Sequence, residues 1–104
     1  MKQTVLVTAI GTAASTTIVL QLRAAGEYYI IGGDIYKKNQ VVTAKDVDEF
    51  YTFPSAIKEL DAYIDFVVRF CKEHHVNFYF ATIDEEIANL SKSRKKFESI
   101  GVSL

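Results

Sequence analysis

The stretch TVLVTAIGTAAS, residues 4–15, decides the fold. Thr4 to Thr8 is an apolar, β-branched run of strand composition. Gly11 and Thr12 interrupt it, and from Ala13 the apolar period changes. Ala14, Ile18, Leu22 and Ala25 recur at helical spacing, and Gly26 stands where a glycine ends a helix. A strand therefore passes into a helix through a tight loop, the local form of an α/β unit.

Downstream the same alternation continues. YYIIGG (28–33) is apolar on both faces, as suits a central strand of a parallel sheet. DEFYTFP (48–54) predicts a short third strand stopped by the only proline. Pro54-Ser55 then opens a long helix with Ser55 as its N-cap, and Ile57, Leu60, Ile64, Val67 and Cys71 form its inner face. His74 and His75 close it. NFYFATI (77–83) predicts a fourth strand, after which Asp84 caps a helix carrying Ile87, Leu90 and Phe97. GVSL (101–104) reads as the start of another strand, as in a domain excised from a longer chain.

These elements predict one domain, residues 1–104, with a three-layer α/β/α Rossmann-like parallel sheet of about four strands in order 3-2-1-4. In such a sheet ligands bind beyond the carboxyl ends of the strands flanking the switch in strand order, here strands 1 and 4. Three loops qualify: 9–14, 33–40 and 82–86.

Twelve Lys and Arg against thirteen Asp and Glu leave no positive excess for a nucleic-acid groove or a membrane surface. The basic KSRKK (92–96) follows the acidic DEE (84–86), a distribution of charge along a helix. One cysteine excludes an internal disulfide and suits a reducing compartment. No charged-then-apolar leader precedes Val5, and the apolar runs fall well short of the ~20 residues of a spanning helix. A soluble, cytoplasmic protein is expected.

The first loop aligns Ala9, Gly11 and Ala14 with a G-x-G-x-x-G/A dinucleotide fingerprint, and Asp34 sits where a ribose-binding acid would. Equally, Gly11 suits a turn that needs a residue without Cβ. No Gly-rich Lys-Ser/Thr segment exists, which excludes a P-loop. Thr12, Ser15, Thr16 and Thr17 place hydroxyls at a helix start, either to hold an anion or, for Thr12, to cap the helix. Asp84, Glu85 and Glu86 either complement a helix dipole or line a substrate-positioning loop. Adjacent His74 and His75 point apart and cannot share a metal; no metal site is expected. Cys71 is expected to be a buried, inert thiol, and the Tyr and Phe residues core. No triad or acid pair for catalysis can be assembled.

VLVTAIGTAAS, LRAAG, YYIIGGDIY, DVDEFYTFPSA and ATIDEEIANLSKSRKKFESIGV, in this order and spacing, together resemble the N-terminal pre-ATP-grasp domain of ATP-grasp ligases. The similarity is nearest to proteins like the large subunit of carbamoyl-phosphate synthetase. The resemblance implies a substrate-side domain of a ligase joining a carboxylate to an amine or ammonia, not catalytic alone. A C-terminal ATP-grasp domain of the same chain would hold ATP and Mg²⁺, and no cofactor would sit on this piece. It further implies that Gly11, Thr12, Asp34, Asp84 and Glu85 face a small carboxylate or amine substrate. Ala9 and Thr12 stand where family members often carry glycines. Two other readings stay open: a free-standing Rossmann-like module for a dinucleotide or other ligand, and an interaction domain that docks a partner or a second copy.

Overall fold

A computed structural model describes residues 3–36, 45–53, 60–81 and 93–103. Strands β1 (Gln3–Thr8), β2 (Tyr28–Asp34), β3 (Glu49–Thr52) and β4 (Phe78–Phe80) form one sheet in the order β3-β2-β1-β4. Every pairing is parallel: Val5 lies opposite Ile30 on one side and Phe78 on the other, and Ile31 lies opposite Glu49. Helix α1 (Ala13–Ala25) links β1 to β2, and helix α2 (Leu60–Glu73) precedes β4. Residues 93–98 are helical. The expected Rossmann-like α/β fold and its strand order are what the chain adopts.

Successive strand side chains point to opposite faces, so one strand feeds two cores. Val5, Val7 and Ile30 pack with Ile10, Val19 and Val47 on the α1 side. Leu6, Ile31 and Tyr79 pack with Ile64, Val67, Phe70 and Cys71 of α2 and with Phe97 on the other. The result is three layers with β1 central and its apolar residues fully buried. Beyond β4, Ser103 bridges Phe78 in parallel, and the Tyr79 N–H donates to the Ser103 carbonyl at 2.9 Å. The tail thus joins the sheet, as its sequence predicts.

Several details differ from expectation. Ala14 and Ala25 are exposed; the inner face of α1 is Ser15 and Val19, flanked by half-buried Ile18 and Leu22. A polar residue occupies that face because the Ser15 hydroxyl donates to the Thr8 carbonyl at 2.9 Å, which removes the cost of burying it. β3 begins one residue late because Asp48 turns to β2: its N–H donates to the Ile30 carbonyl and its Oδ2 accepts the Ile30 N–H, both at 2.8 Å. β4 is shorter than the 77–83 run that suggested it. Ser55, Ile57, Asp84, Glu85, Ile87 and Leu90 lie outside the described residues.

Helix ends follow local chemistry. Thr12 caps α1, its hydroxyl accepting the Ser15 N–H at 3.3 Å, and Gly26 ends it at φ 73°. α2 ends in a Schellman turn in which the Val76 N–H donates to the Cys71 carbonyl and His75 carries the left-handed φ of 54°. Gly101, at φ 83°, fills the same place after Phe97.

At the amino end of the sheet two phenols clasp one carboxylate. Tyr29 Oη donates to Glu49 Oε2 at 2.5 Å and Tyr51 Oη donates to Oε1 at 2.6 Å. Those bonds hold Glu49 below the usual carboxylate range. The Glu49 carboxylate in turn pushes Tyr29 up to about 12 and raises Tyr51. His74 stacks on Phe70 with ring centroids 4.1 Å apart and leans on Tyr51. No helix among the described residues is long and apolar enough to cross a membrane.

Candidate functional site

Parallel pairing brings the carboxyl ends of all four strands to one rim, and the switch in strand order falls between β1 and β4. Thr8 ends β1 there, buried, its hydroxyl reaching the Phe80 carbonyl at 3.5 Å. The loop after β1 turns sharply, and the left-handed φ in it falls at Ala9, 52°, not at Gly11. The residue that takes the left-handed φ of this turn is thus Ala9, two positions before the glycine that the sequence offered as the one suited to the turn. Alanine tolerates that conformation at a cost of roughly 1–2 kcal/mol. The Thr12 N–H and hydroxyl both donate to the Ala9 carbonyl, at 3.0 and 2.9 Å, and brace the turn.

Asp34, at the end of β2, is the hub of the rim and is 8% exposed. Its Oδ2 accepts the Gly11 N–H at 2.9 Å across a separation of 23 residues. Its Oδ1 accepts the N–H groups of Ile35 at 2.7 Å and Tyr36 at 3.4 Å. Its own carbonyl accepts the Phe53 N–H at 2.7 Å, joining the end of β3. Thr52 Oγ1 adds a bond to the Tyr36 carbonyl at 3.2 Å. Three strand-end loops are thus tied through one residue.

Gly11, Thr12 and Asp34 are therefore brought together, with Gly11 and Thr12 exposed and Asp34 beneath them. Asp84 and Glu85 follow β4 in sequence and lie outside the described residues. The helix-start hydroxyls bond back to their own helix: Thr16 donates to the Thr12 carbonyl at 2.9 Å and Thr17 to the Ala13 carbonyl at 3.1 Å. Ser15, read from sequence as a hydroxyl open to an anion, is buried against Thr8.

Sequence reasoning missed two apolar residues of the rim, Ile35 and Tyr36, which are 51% and 56% exposed just after Asp34. Their signal was present: two large side chains directly beyond the buried end of a central strand. It also missed Phe53, whose ring lies over Gly33 and packs edge-on against Phe66 and Phe70.

Among the described residues the rim presents no cationic side chain. Loop segments 9–12, 34–36, 52–53 and 80–81 contain no Lys or Arg, and the Gly11 N–H already serves a carboxylate. Asp34 likewise turns its oxygens to backbone N–H groups, where a dinucleotide's ribose would need them free. Among the described residues no three His, Cys, Asp or Glu side chains gather as metal ligands. His74 packs on rings, and Cys71 is buried at the far side of the core, where loss of solvation pushes its thiol up to about 12.

Fold and rim together define a Rossmann-like α/β domain whose described strand-end loops are joined by hydrogen bonds to Asp34. Comparison with protein families makes this specific: residues 5–104 match the family described as PylC-like, N-terminal domain. The chain belongs to that family, a domain of the pre-ATP-grasp type found in ATP-grasp ligases. No curated protein matches it.

Proposed function

We propose that this chain is the substrate-side domain of an ATP-dependent ligase that joins a carboxylate to an amine or to ammonia, in the manner of the carbamoyl-phosphate synthetase large subunit. The family match over residues 5–104 carries the reading. In it an ATP-grasp domain C-terminal to this one holds ATP and Mg²⁺ and activates the carboxylate. This domain supplies one wall of the cleft and does not catalyse alone. The exposed rim of Gly11, Thr12, Ile35 and Tyr36 faces the acceptor, with Asp34 fixing the loops and Asp84 and Glu85, which follow β4 in sequence, assigned to the same substrate.

Support comes from the loop after β1, which carries Gly11 and Thr12 and flanks the switch in strand order. Calorimetry of the 104-residue chain with Mg²⁺-ATP tests the proposal. No heat of binding in the micromolar range is expected; micromolar affinity would place the nucleotide on this domain and overturn the reading.

A further inference from the structure

We infer that Asp34 is a specificity-determining residue that closes the glycine loop against anions, so that the group received at this rim is uncharged or cationic. The inference deepens the proposed function and rests on its assignment of the rim to the acceptor. A strand-to-helix loop of this form ordinarily offers its backbone N–H groups and the positive end of its helix to an anion. Here the position is filled from within the chain. The Asp34 carboxylate is more than nine-tenths buried, accepts the Gly11 N–H at 2.9 Å, and carries no ion pair among the described residues.

An incoming phosphate or carboxylate at Gly11 would compete for a donor already used. It would also meet a negative charge a few ångströms away, in surroundings that screen it less than water. Of the two partners in a carboxylate–amine ligation, the amine is the one that a loop closed in this way admits. Asp34 acts by occupying and orienting the loop, so it is a positioning residue with no step in the chemistry.

The test uses the 104-residue chain, inorganic phosphate as the probe, and the Gly11 amide resonance as the readout at neutral pH. In the wild type phosphate leaves the Gly11 amide unmoved. Asp34→Asn keeps the shape and an oxygen that accepts from Gly11 but removes the charge, and it is expected to bind phosphate at Gly11 about tenfold more tightly or better. A phosphate-dependent shift of Gly11 in the wild type overturns the assignment, and this arm needs no variant to fold. Equal, weak binding in a folded Asp34→Asn also overturns it. Either result leaves the ligase reading standing, whereas micromolar ATP affinity without a phosphate shift at Gly11 overturns that reading and not this one.

Discussion

Replacing Gly33 by alanine would place a methyl group against a ring that has nowhere to go. A Cβ built there lies 3.0, 3.0 and 3.1 Å from Cε1, Cζ and Cδ1 of Phe53. That ring is held edge-on by Phe66 and Phe70, with centroids 5.1 and 4.9 Å away. Overpacking of this kind costs about 1–3 kcal/mol. Removing a glycine from the unfolded chain returns about 0.4–1 kcal/mol. The net expectation for Gly33→Ala is a loss of roughly 0.5–2 kcal/mol.

Gly32 provides the comparison. Its added Cβ meets Ile10 Cδ1 at 2.8 Å, the free end of a flexible side chain, and Val47 Cγ1 at 3.2 Å. The tightest contact is with a terminal methyl that χ2 rotation can shift, and Ile10 Cγ2 at 3.3 Å need give by only a few tenths of an ångström, so Gly32→Ala should cost less. Urea unfolding of both variants, with unchanged m-values, reads the difference directly. Phe53→Leu in the Gly33→Ala background should recover part of the loss, a favourable coupling that the ring contact requires. Gly33→Ala as stable as wild type, or Gly32→Ala the costlier of the two, would refute the reasoning. The contact also bears on the rim, since the Phe53 N–H donates to Asp34.

Two further outcomes follow from local geometry. Glu49 is held below its unfolded value by the phenols, so its contribution is complete above the usual carboxylate range and is lost as pH falls through it. Tyr29, raised from 10.0 to about 12, contributes fully below pH 10.0 and loses that contribution as pH climbs from there toward about 12. Thermal unfolding against pH should show both flanks, and Glu49→Gln should flatten them; an unchanged profile in that variant contradicts the clasp. At the end of α2, His75→Gly relieves a left-handed φ of 54° and should stabilise the fold by about 0.5–1 kcal/mol, provided its side chain does no other work. Urea unfolding checks it, and a loss of stability would show that the imidazole matters more than the backbone.

Much of the architecture was legible in TVLVTAIGTAAS and its successors because strand and helix periods are local. The run of Val5, Leu6 and Val7, apolar on both faces, requires a strand covered on both sides. Thr12 and Gly26 mark the ends of α1 by their own side-chain and backbone chemistry. Strand order followed from the parallel crossovers that this alternation imposes. The predicted face of α1 holds at Ile18 and Leu22 but not at Ala14 and Ala25, because spacing selects alanines as readily as valines and only packing decides that Ser15 and Val19 turn inward.

The rim itself belongs to the tertiary structure. The sequence names Gly11 and Asp34 as neighbours of a ligand end, yet nothing local says that they bond each other. That bond spans 23 residues and exists because parallel pairing sets Thr8 opposite Gly33, one residue short of Asp34. Hydrogen-bonding capacity is written in the side chain, but its partner is chosen by where the sheet delivers the two strand ends. By itself the sequence determined an α/β domain and the strand-end loops that form its carboxyl edge. The fold decided that the edge is closed by its own carboxylate, because a buried charge must take whatever donors the assembled backbone presents.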